Sequence, residues 1–166
     1  MAWTTATTRA AGFSVTAAVW NSEHVDNMNF LKEVNYTAFT GDVTVTQTTV
    51  GTAQQIVSSG TITYEAVPHM LEVYFPAVDS GTGQFRLIVR DGTTVLALIA
   101  RRGASADATE LRASYRFTPT AASHTYNVAA WLGAAGTWTV NAGAGGTAGD
   151  PGTESAGFMR IFRVPT

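Results

Sequence analysis

The chain has 166 residues and a mass of 17.5 kDa, the size of one ordinary domain. Only 13% of its residues are charged and the net charge is −2, with Arg101-Arg102 as the one basic pair, so a nucleic-acid binder that neutralises phosphates is excluded. Cysteine is absent, which excludes disulfide scaffolds, zinc ribbons and thiol nucleophiles.

Residues 1–15 form a Thr/Ala arm that carries Trp3 and Phe13 without periodicity. Such an arm gains order only by docking on a partner. Met1-Ala2-Trp3-Thr4-Thr5 lacks the basic segment and apolar run of a signal peptide. Residues 16–36 are predicted to be the one helix, short and amphipathic. Thr16 is its N-cap, Glu23 and Asp26 lie toward its N-terminal half, and Lys32 lies near its end. Trp20, His24, Met28 and Leu31 recur at helical spacing and make one face, opposite Ser22, Asp26, Asn29 and Glu33.

From about residue 42 the period changes to 2, as Val43 and Val45 alternate with Thr44 and Thr46. Further strands are predicted over 61–64, 70–75 (ending at Pro76), 85–90, 93–100, 111–117, 126–132, 138–141 and 158–164. Asp91-Gly92 is the strongest hairpin signal in the chain. No helical segment separates these strands, so βαβ units are excluded. The expected class is mainly β: a jelly-roll β-sandwich over residues 37–166, preceded by an anchoring arm and helix over residues 1–36. The longest apolar stretch, Val95 to Ala100, is far short of the roughly 20 residues a membrane helix needs.

Residue chemistry points away from catalysis. His24, His69 and His124 have no second ligand at metal-site spacing, and no Gly-x-Ser-x-Gly elbow exists. Glu65, Glu72 and Glu110 are carboxylates that folding could bring together, but no spacing pairs them as a glycosidase requires. The Gly143–Gly149 segment mimics a phosphate cradle, yet Asp150-Pro151-Gly152 follows in place of Lys-Ser/Thr and a helix. It reads as a loop whose tip, with Asp150, is available for recognition. Trp131 and Trp138 flank Gly133-Ala134-Ala135-Gly136; exposed together they would form a sugar-stacking platform, and otherwise they belong to the core or a subunit interface. No enzyme, cofactor or metal is expected.

The run from Phe13 through Thr16-Ala17-Ala18-Val19-Trp20-Asn21 to Asp26-Asn27-Met28-Asn29-Phe30-Leu31 resembles the opening of many tailed-phage virion proteins. The segments Phe117-Thr118-Pro119, His124-Thr125-Tyr126-Asn127-Val128 and Phe158-Met159-Arg160-Ile161 are similar to their jelly-roll heads, which are of the tumour-necrosis-factor type. The resemblance implies a non-enzymatic capsid decoration or head-fibre protein, made in the host cytoplasm and mounted on the capsid exterior as a homotrimer. Trp3, Phe13, Trp20, His24, Met28 and Leu31 would then make contacts to the major capsid protein and between subunits. The alternative it implies is a tail-associated receptor-binding protein, with host surface glycan recognised through Trp131, Trp138 and the loop of Asp150. Neither reading involves nucleic acid or membrane.

Overall fold

A computed structural model describes residues 16–20, 33–39, 41–79, 81–104, 109–141 and 156–165. After α1 (Ala17–Trp20) come twelve strands: β1 (Glu33–Phe39), β2 (Val43–Val45), β3 (Gln54–Ser58), β4 (Ile62–Thr63), β5 (His69–Asp79), β6 (Phe85–Asp91), β7 (Thr94–Arg102), β8 (Thr109–Phe117), β9 (Ser123–His124), β10 (Tyr126–Leu132), β11 (Trp138–Asn141) and β12 (Gly157–Arg163). One sheet runs β1-β12-β5-β11-β2, with β8 on the other side of β5. The second runs β3-β10-β6-β7, and β4 pairs with β9 at one end. All recorded pairings are antiparallel. The expected β-sandwich is therefore observed, with its first and last strands side by side as in a jelly roll.

Alternation builds the core. In β5, His69, Leu71, Val73 and Phe75 are buried while Met70, Glu72, Tyr74 and Pro76 face outward. From the opposite sheet Phe85, Leu87, Val89, Val128, Ala130 and Leu132 meet them, and all six are solvent-free. Pro76 was expected to end its strand. Instead β5 continues to Asp79, because a bulge between Phe75 and Val78 removes the ladder bond that proline cannot donate. The β6–β7 hairpin lies where Asp-Gly predicted it, displaced by one residue: Asp91 pairs with Thr94, and Gly92-Thr93 form the loop. Gly92 has φ +57° while Thr93 is not left-handed, which fits a turn with glycine at its first central position.

The start of the domain differs from expectation. α1 begins after Thr16 as predicted, with the Trp20 amide bonded to the Thr16 carbonyl at 2.9 Å. Residues 33–36, however, belong to β1 rather than to the helix, so the sandwich begins before residue 37. β-branched and aromatic residues (Val34, Tyr36, Thr37, Phe39) favour this, and pairing with β12 supplies backbone partners along one side of the strand. A register shift between Glu33 and Asn35 lets both Val34 and Phe39 reach the core. Trp3, Phe13, His24, Met28, Leu31 and Asp150 lie outside the described residues. No helix among the described residues is long and apolar enough to cross a membrane.

Candidate functional site: an aromatic and arginine-lined groove

The outward face of the larger sheet carries side chains of unusual chemistry for a solvated surface. Two neighbouring rows cross β1, β12, β5 and β8. The first row is Tyr36, Arg160, Glu72, Ser114, and the second is Ala38, Phe158, Tyr74, Arg112. Because cross-strand neighbours lie about 5 Å apart, four strands bring these distant residues into one patch. A groove of about 410 Å³ opens there, with Glu72, Tyr74, Arg112, Ser114, Phe158 and Arg160 in its walls.

The rings form a short series. Phe158 stacks on Tyr36 at 5.6 Å with planes 25° apart, and meets the tilted Tyr74 ring at 5.7 Å. Tyr36 is 53% exposed, so one ring face of the series remains in water. Arg160 donates from both Nε (2.8 Å) and Nη2 (2.7 Å) to a single oxygen of Glu72, Oε2. Its guanidinium also lies 5.2 Å from the Phe162 ring centre. The Arg112 guanidinium sits 4.5 Å above the Tyr74 ring, and among the described residues its nearest carboxylate, Glu110, is 3.7 Å away. That distance exceeds a hydrogen bond, and both side chains are at least 60% exposed, so the pair contributes little.

This face presents flat apolar rings beside fixed planar donors and acceptors. Rings of this kind can pack on a C–H face, and planar donors and acceptors can pair with hydroxyls. Among the described residues Glu72 is the carboxylate in the walls, and Arg160 engages it, so these residues hold no pair of carboxylates placed for glycosidic acid–base chemistry. Among the described residues no group of three metal-ligating side chains occurs.

The two tryptophans, read either as a joint platform or as core or interface residues, are parted. Trp138 is 1% exposed, packs 5.4 Å from Phe85 between the sheets, and donates from Nε1 to the Thr82 carbonyl at 3.1 Å. It is a core residue, which corrects the exposed reading. Trp131 is half-buried on the far side of the smaller sheet, against Ala53, Ile88 and Ala129, with Arg86 5.6 Å from its ring centre. The connection between them leads from one sheet into the other, which turns Trp131 outward and Trp138 inward. Trp20 is 52% exposed at the end of α1.

His69 and His124 take structural places. His69 is 1% exposed, lies 5.8 Å from Phe117, and bonds the Val67 carbonyl through Nδ1 at 2.7 Å. Burial holds its pKa below the ordinary histidine value, with Arg163 acting in the same direction. His124 bonds Asp91 through Nδ1 at 2.6 Å and Thr120 through Nε2 at 3.0 Å, fastening the β6–β7 turn to β9. Beside them, burial pushes the Tyr64 phenol up to about 12.

Of the groove residues, sequence reading singled out Glu72 alone, as a carboxylate that folding could bring to Glu65 or Glu110. Tyr36 fell within the expected helix, and the others are ordinary outward positions of separate strands. A signal was present: Glu72-x-Tyr74, Arg112-x-Ser114-x-Arg116 and Phe158-x-Arg160-x-Phe162 place rings and guanidinia at alternate positions.

No protein-family model matches the chain, and no curated protein matches it. Solved structures similar to it include a carbohydrate-binding module (CBM6cm-2) from Cellvibrio mixtus lichenase 5A in complex with cellotriose. That likeness has 14% identity and a TM-score of 0.40, and covers 80% of this chain and 99% of that one. The EclA C-terminal domain, a sugar-binding protein, is similar at 14% identity and a TM-score of 0.40 over 63% of this chain and 77% of the other. The CBM22-1 xylan-binding domain of Paenibacillus barcinonensis Xyn10C is similar at 12% identity and a TM-score of 0.30, over 82% and 92%. None of these likenesses lends the chain a ligand.

Proposed function

We propose that the chain is a non-catalytic glycan-recognition module whose ligand lies in the groove across β1, β12, β5 and β8. The observation that carries this reading is the Tyr36–Phe158–Tyr74 ring series set beside the Glu72–Arg160 fork. A pyranose offers a C–H face to the rings, and its vicinal hydroxyls match a planar carboxylate–guanidinium pair. The groove volume, about 410 Å³, suits one or two sugar units. The resemblance of residues 13–31 to virion proteins supports display of this module on a phage particle, as a tail-associated protein that meets host surface glycan.

The test is a glycan array followed by titration calorimetry on the full chain. Binding of at least one glycan, lost in Phe158→Ala and Tyr36→Ala variants that keep the parent melting temperature, is the expected result. Absence of any binding tighter than about 1 mM overturns the proposal.

A second reading is a homotrimeric decoration protein on the capsid exterior, anchored on the major capsid protein. It is favoured by the apolar side chains that β7 leaves in water: Val95, Leu96 and Leu98 are 43%, 38% and 38% exposed on a strand at the edge of its sheet. A threefold neighbour would cover them. Copy number in purified virions separates the readings. A large fixed ratio to the major capsid protein supports decoration, and a few copies per particle support the tail.

A further inference from the structure

The charges around the groove are not equivalent. Arg160 is committed, since both its Nε and Nη2 reach Glu72 Oε2. Arg112 is not held in this way. Among the described residues its nearest carboxylate, Glu110, stands 3.7 Å off with 60% of its side chain in water. The guanidinium carbon lies 4.5 Å from the centre of the Tyr74 ring, and 70% of the Arg112 side chain is in water, where its N–H groups are open to a ligand. Ser114, the next outward residue of β8, adds a hydroxyl to the same wall. Arg116 follows on that face, its Nη2 on the Pro165 carbonyl at 3.1 Å. Counted over Glu33, Glu72, Glu110, Arg112, Arg116 and Arg160, the charges of the face balance, so a preference for acidic sugar rests on Arg112 itself.

Resting on the glycan reading above, we infer that the groove selects acidic sugars, with the carboxylate of a uronate or sialate held by the Arg112 guanidinium. The sugar ring lies against Phe158, and Ser114 donates to the carboxylate or to a neighbouring hydroxyl. A planar guanidinium matches a carboxylate in two parallel hydrogen bonds, a geometry a neutral hydroxymethyl group cannot reproduce.

The test uses galacturonate, glucuronate and sialyl oligosaccharides, each beside its methyl ester, titrated into the full chain by calorimetry. The ester keeps the ring and removes the charge. The expected result is an acid bound about tenfold tighter than its ester, the difference shrinking as salt is raised. Arg112→Gln should bring the acid down to the level of its ester at an unchanged melting temperature. Arg112→Lys should restore only part of the preference, because a point charge lacks the fork. Equal binding of acid and ester overturns acidic selection and leaves the glycan reading intact. An acid preference that survives Arg112→Gln removes the carboxylate from this site. Failure of every acidic and neutral sugar to bind overturns both.

Discussion

Replacing Trp138 with alanine decides whether this ring holds the fold or meets a ligand. Trp138 heads the fully buried side chains at 1% exposure, its ring is 5.4 Å from Phe85, and Nε1 satisfies the Thr82 carbonyl at 3.1 Å. Truncating a buried tryptophan costs about 3–5 kcal/mol, and the orphaned carbonyl adds about 1 kcal/mol. Against a total stability of about 5–15 kcal/mol, this leaves a domain near its unfolding threshold. Trp138→Phe keeps most of the apolar contact and loses the Nε1 bond, for about 1–2 kcal/mol. Trp131→Ala removes a half-buried ring and should cost about 1–2 kcal/mol. Urea unfolding followed by far-UV circular dichroism measures all three without relying on the fluorescence the variants lose. A Trp138→Ala loss below about 2 kcal/mol at an unchanged denaturant slope would refute the buried placement and restore Trp138 as a surface residue.

Other expectations follow from packing and titration. A methyl added at Gly157 would overlap the Phe39 ring, which packs edge-on against Phe75 at 5.4 Å. Gly157→Ala should therefore lower stability by about 1–3 kcal/mol, and trimming Phe39 to leucine in that background should recover part of it in thermal melts. The Asp91 carboxylate bonds His124 at 2.6 Å and accepts from the Thr125 amide at 3.3 Å. Asp91→Ala should cost about 1–3 kcal/mol in urea unfolding without altering glycan binding; a change in affinity at constant stability would contradict its structural role. His69 is kept neutral by burial, so its folded pKa lies below the unfolded value of about 6.5. Its contribution to stability is thus complete above about pH 6.5 and declines as pH falls toward the depressed folded value. Urea midpoints at about pH 7.5 and about pH 5.5 should show this loss in the parent and a smaller one in His69→Phe.

Period-2 alternation, Thr/Val-rich runs and turn residues were enough to read the sandwich and most of its strands from the amino-acid order, because they report which side of a strand meets water. The Asp91-Gly92 hairpin was legible because its turn needs glycine in a left-handed conformation, a purely local demand. β1 was not legible: pairing with β12, more than a hundred residues away, outweighs a helical spacing whose stripe ends at Leu31. Nor was continuation of β5 through Pro76, which depends on a bulge opposite β8. The tryptophans show the same division. Their burying area follows from residue type, but whether each ring turns into the core or away from it depends on which sheet its strand joins. The groove is the fullest case. Tyr36, Glu72, Tyr74, Arg112, Phe158 and Arg160 come from four strands scattered along the chain, and each is an ordinary outward residue on its own. Local sequence determines that these side chains point outward; only the order β1-β12-β5-β8 sets them side by side, because strand register is a long-range property that no local spacing encodes.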